Sequence, residues 1–93
     1  MIHMIAYDLK EPNDTAGDYE RVIGGIKLAY PTWCHLEKSV WLVETDLDAS
    51  AVRDAMKKLI YETDILFVAK LSGNWASWNI GKVRSDWLQG RTF

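Results

Sequence analysis

The sequence predicts one small α+β domain in which helices alternate with strands and lie against a sheet. Three observations predict it. The chain has 93 residues, a length that one domain normally fills. Residues 2–9 and 64–71 are short, aliphatic-rich runs that read as strands. Between them, two stretches repeat apolar residues at helical spacing, separated by an extended segment.

Residues 2–9 (IHMIAYDL) alternate as a strand does. Ile2, Met4, Ala6 and Asp8 share one face, and His3, Ile5, Tyr7 and Leu9 share the other. Both faces are largely apolar, which predicts a central strand covered on both sides. Asp8 then stands at the C-terminal end of this strand, on an otherwise apolar face. Residues 10–17 form a loop, marked by Pro12, Asn13, Asp14 and Gly17.

The first helix is expected over residues 18–30, where Tyr19, Val22, Ile23, Ile26 and Tyr30 recur on one side. Gly24 and Gly25 each cost about 1 kcal/mol against Ala inside a helix, so close packing on the sheet is expected there. Pro31 stops the helix. Residues 33–45 (WCHLEKSVWLVET) read as extended, with Val40 and Leu42 opposite Trp41 and Val43. The alternation fits one long strand, or two strands with a tight bend near Lys38 and Ser39. No Asn-Gly or Asp-Gly decides between them.

Residues 46–50 form a turn in which Asp48 or Ser50 can cap the next helix. That helix is expected to reach about Tyr61, with Val52, Ala55, Met56, Leu59 and Ile60 on its buried stripe. Residues 64–71 are the last main strand, ended by Ser72-Gly73-Asn74. The tail 74–93 holds Trp75 and Trp78, and Ser85 is placed to cap a last helical turn. The order β-α-β(β)-α-β plus a tail fits the split β-α-β motif of ferredoxin-like two-layer sandwiches, as one domain spanning 1–93.

Composition narrows the function classes. The net charge is -2 and the pI about 5.6, so the chain lacks the strong basicity of a general phosphate binder. Cys34 is the only cysteine, which forbids an internal disulfide. No apolar run is long enough to span a membrane, and no cationic stretch leads into an apolar one at the start. A soluble, cytoplasmic protein is expected. Five tryptophans exceed what a small core needs, which points to an interface.

Asp8 is the leading candidate for chemistry. A carboxylate on an apolar strand face needs a partner, a metal or a solvent-exposed edge. Its ordinary role is to cap the following loop; its sharper role is a metal ligand or acid–base group at a strand end. One carboxylate makes a poor magnesium site, but a symmetric dimer brings two together. His3, His35 and Cys34 lack metal-ligand spacing, and His3 reads as a structural histidine. No phosphate-cradling glycine loop or nucleophile elbow is present. Trp75 and Trp78 either cover the sheet or a dimer contact, or stack on bases. Lys70, Lys82 and Arg84 are the nearby cations.

Several segments also resemble a known family. Ile5-Ala6-Tyr7-Asp8-Leu9 and the stretch from His35 through Ser39-Val40-Trp41 to Thr45 are similar to the small CRISPR-associated integration-adaptor and endoribonuclease family, the second of the Cas proteins. The chain resembles more fully the small bacterial proteins of the SinR family, which are similar to it in fold. There the likeness adds Thr45-Asp46-Leu47, Lys70-Leu71-Ser72-Gly73, Trp75, Trp78 and Ser85-Asp86-Trp87-Leu88. The resemblance implies a ferredoxin-like βαββαβ fold, with the 33–45 segment split near Ser39, and a homodimer. It implies that Asp8 is catalytic and binds Mg²⁺ or Mn²⁺ opposite its own copy, for phosphodiester cleavage, with Ser39 beside it. Tyr7, Trp41, Trp75 and Trp78 are expected to face an interface or nucleic acid.

Two function classes follow. One is a homodimeric, metal-dependent nuclease related to CRISPR-associated or toxin–antitoxin ribonucleases. The other is a non-catalytic interaction module whose Trp-rich tail binds a protein partner, which the acidic pI favours. The loop after Asp8, Lys10-Glu11-Pro12-Asn13-Asp14, has few of the cations that phosphate binding requires.

Overall fold

Residues Ile2–Asp8 (β1) run through the interior of a four-stranded antiparallel sheet in a computed structural model that describes residues 1–93. The other strands are Trp33–Glu37 (β2), Val40–Glu44 (β3) and Ile65–Lys70 (β4), and the order is β2-β3-β1-β4. Three helices, Ala16–Ala29 (α1), Ala49–Lys57 (α2) and Gly81–Gln89 (α3), complete the chain. The architecture is α+β and compatible with a ferredoxin-like arrangement. No helix is long and apolar enough to cross a membrane.

Strand alternation builds two separate cores. On one face Ile5, Tyr7 and Leu9 meet Trp41 and Val43 of β3, under Val22 and Ile26 of α1 and Val52 and Met56 of α2. On the other face Ile2, Cys34 and Leu42 form a second cluster with Leu88 of α3. Both faces of β1 are therefore covered, as its composition predicts. The tail 74–93 is no appendage: Trp75, Ile80, Trp87 and Phe93 pack on this second cluster. The Trp87 indole N–H donates to Thr32 Oγ1 at 2.9 Å, and Arg91 lies over the Trp87 ring while reaching Glu44 at 3.4 Å.

Local chemistry explains where the elements begin. α1 starts two residues before the predicted helix because Thr15 caps it. Its hydroxyl accepts from the Asp18 N–H, and the Asp18 carboxylate accepts from the Thr15 N–H, closing a capping box. Asp48, not Ser50, caps α2 by accepting from Ala51 N–H at 2.8 Å. α2 ends at Lys57, short of Tyr61, and turns carry the chain onward. Ser85 caps nothing: α3 starts at Gly81 behind Ile80, and Ser85 falls inside the helix. Residues 33–45 form two strands joined by the two-residue turn Lys38-Ser39.

The glycine pair of α1 packs differently from expectation. A methyl group on Gly25 would stand 2.5 Å from Leu59 Cδ1, so the close approach is to the chain following α2 rather than to the sheet. Gly24 faces open space.

Candidate site at the end of the central strand

The C-terminal end of β1 gathers three chain segments. In the register of β1 with β4, Asp8 stands opposite Ile65 and Ala6 opposite Phe67. On the other flank the Tyr7 N–H donates to the Ser39 carbonyl at 3.1 Å, which seats the β2–β3 turn against the strand end. Asp8 and Ser39 are thus neighbours through the Tyr7 backbone. What the Ser39 contact engages is its main-chain oxygen.

The Asp8 carboxylate is exposed, and its partner is the Lys10 ammonium at 2.6 Å. This contact raises the Lys10 pKa, through the hydrogen bond first and then the opposite charge. A second carboxylate, remote in sequence, reaches the same loop. Asp64, just before β4, accepts from the Lys10 N–H at 2.7 Å and from the Tyr61 N–H at 2.9 Å. Asp64 therefore clasps the loop after β1 to the loop before β4, a role its sequence position did not advertise.

The donor set can be tested against a divalent ion. One protomer assembles no group of three or more His, Cys, Asp or Glu side chains fit to hold a metal. Asp64 spends both oxygens on backbone N–H groups, and Asp8 has Oδ2 paired with Lys10, which leaves Asp8 Oδ1 without a partner. Magnesium takes one or two carboxylates plus waters and phosphate oxygens. Asp8 and its surroundings within the chain do not by themselves make such a site.

No protein-family model matches this chain, and no curated protein matches it.

The aromatic residues divide sharply. Trp41 is fully buried and Tyr7 is 5% exposed, so neither ring reaches a surface. The expectation that they touch nucleic acid or a partner is corrected: both belong to the core beneath the helices. The Trp41 N–H donates to the Tyr7 hydroxyl at 3.1 Å, and the His35 ring stacks on Trp41 at 3.9 Å. Burial raises the Tyr7 pKa, and the hydrogen bond from Trp41 opposes the rise. The alternation that put Trp41 and Val43 on one face was legible, but which face the helices cover was not.

Trp75 and Trp78 do not form a joint platform. Trp75 is half-buried against Phe93, with ring centroids 6.3 Å apart, while Trp78 is 85% exposed. Two of the three neighbouring cations are engaged: Lys82 pairs with Asp86, and Arg84 donates to the carbonyls of His35 and Ile80, while the Lys70 side chain makes no such contact. His3 is buried, with Nε2 donating to the Leu47 carbonyl at 2.7 Å, and Nδ1 has no partner. Cys34 is buried and its pKa is raised by that burial, so it is no activated nucleophile.

What the sequence reading missed lies beside Asp8. Ile65 and Phe67 are 55% and 60% exposed on the Asp8 face, beyond the part covered by the tail. A run apolar on both faces, ILFVAK, hides which of its sides is left open.

Proposed function

We propose that the chain is a homodimeric, nuclease-like protein of the ferredoxin-like βαββαβ class that cleaves phosphodiester bonds in RNA or DNA. One observation carries this reading: the exposed Ile65 and Phe67 share a sheet face with Asp8. Apolar side chains left in water on a flat sheet favour a second sheet over them, at about 25 cal/mol per Å² covered. A two-fold pairing of these ends sets one Asp8 beside the other.

In that dimer the two Asp8 carboxylates would hold Mg²⁺ or Mn²⁺, a group that would supply an activated water and a counter-charge for the scissile phosphate. Lys10, two residues beyond Asp8, adds an ammonium at the same edge, and Ser39 adds a hydroxyl from the adjoining turn.

A second reading is a non-catalytic dimeric interaction module. It is favoured by the Lys10–Asp8 contact, which neutralises the carboxylate without metal, and by the exposed Trp78, which suits a protein partner. The experiment is to incubate native protein and Asp8→Ala with single-stranded RNA, in Mg²⁺ and in EDTA, and to sediment both. Cleavage by native protein in Mg²⁺ only, lost in Asp8→Ala with the dimer intact, is expected. A dimer without cleavage leaves the interaction module; a monomer overturns both.

A further inference from the structure

The second face of the sheet contains a cavity that the dimer reading does not use. It lies between the strands and the tail, at the end away from Asp8, and has a volume of about 170 Å³. Met4 and Leu42 form its floor from β1 and β3, and Ile80 and Leu88 close one side from the start and body of α3. Trp75 forms another wall and is held in place by Phe93 behind it. Of the nine lining residues eight are hydrophobic, and Ser77 is the exception.

We propose that this cavity is a binding site for a small uncharged aromatic molecule carrying one hydrogen-bonding group, of the phenol or indole class. Size sets the first limit. The cleft is open to solvent at Ala76 and Ser77, and its volume is close to the ~150 Å³ of apolar cavities that admit a benzene-sized ring. Chemistry sets the second. An indole wall and a methionine sulfur favour an aromatic ring over an alkyl chain, by stacking and by sulfur–ring contact. The lining offers no charged side chain, so an ionised ligand would be desolvated without a partner. Ser77 supplies one hydroxyl, enough for one polar substituent at the ring's edge.

The cavity is part of the folded architecture rather than a stray surface patch. The tail that roofs it is tied to the sheet edge by the Trp87 bond to Thr32 and by the Arg91 contact with Glu44. The lining includes neither Asp8 nor Ile65 nor Phe67.

Phenol and benzoate, which share a ring and differ in charge, test the proposal on the intact chain. Amide signals of Ala76, Ser77, Ile80 and Leu88 are followed by NMR as each is added. Phenol is expected to shift them saturably, and benzoate to bind at least about tenfold more weakly, because its carboxylate loses water without compensation. Ala76 is exposed at the cavity mouth, so Ala76→Phe fills the space from the solvent side without replacing a residue of either core. This variant is expected to keep the native spectrum elsewhere and to lose the phenol response. Unchanged signals with phenol, equal binding of benzoate, or an undiminished response in folded Ala76→Phe each overturn the proposal.

Discussion

The indole N–H of Trp41 donates to the hydroxyl of Tyr7 at 3.1 Å, inside the core between sheet and helices. This bond joins the last turn of side chains on β1 to the middle of β3, and it gives both polar groups a partner where water does not reach. Tyr7→Phe removes the acceptor and leaves the indole N–H buried alone. The expected loss is about 1–3 kcal/mol in urea unfolding, the cost of an unsatisfied buried donor. Dimerisation and any RNA cleavage should be unchanged, since the ring is internal.

Gly24 and Gly25 are adjacent and should respond differently to a methyl group. Gly24→Ala places it in open space and gains helix propensity, about 1 kcal/mol. Gly25→Ala drives it to 2.5 Å from the end of Leu59, which must move within a packed region. Thermal unfolding should therefore rank Gly24→Ala as the more stable of the two, and Leu59→Ala should narrow the gap between them.

The start of α1 carries a pH dependence. The Arg21 hydrogen bond, then those of Thr15, hold the Asp18 carboxyl below its ordinary value of 3.8. A depressed folded-state pKa contributes stability that is full above the unfolded value and is lost as pH falls through the folded one. Acid titration should show this loss below about pH 4, where an unperturbed aspartate takes its proton. Asp18→Asn should flatten that part of the curve. Thr15→Ala should cost about 1 kcal/mol at neutral pH through the lost cap.

Cys34 reports on opening of the second face. Its thiol is buried and its pKa is raised by that burial, with Arg84 opposing. Iodoacetamide at pH 8 should label native protein slowly and urea-unfolded protein at the rate of a free cysteine, because the thiolate is the reacting form. Loosening the tail with Trp87→Ala should speed native labelling.

The dimer reading makes its own demand on β4. Phe67→Glu places a charge on the exposed sheet face beside Asp8 while leaving the inward-facing Leu66 and Val68 in place. Sedimentation should show monomer, with the far-UV circular dichroism of the native chain.

Strand and helix periodicity were readable because each element packs an apolar face. The faces of β1 follow directly from residue type and spacing, and the α2 cap was narrowed to Asp48 or Ser50, of which the structure uses Asp48. The Thr15-Asp18 capping box was also written in the sequence, but the first apolar residue of α1, Tyr19, drew the predicted start too far along. Burial of Trp41 was not readable, since a ring on an alternating strand looks the same whether helices or solvent lie over it; Tyr7 lies on a face of β1 already expected to be covered. The tail's role was hidden for a related reason. Its contacts with Thr32 and Glu44 span 55 and 47 residues, beyond the reach of any local pattern.

That long reach sets the order of events during synthesis. All four strands are made before Trp75, Trp87 and Phe93, so Ile2, Met4 and Leu42 emerge from the ribosome ahead of the residues that cover them. For that interval the nascent chain presents an apolar sheet surface that residues 75–93 conceal. Chaperone capture, or adhesion between neighbouring nascent chains, is then a hazard of timing that the finished molecule no longer displays.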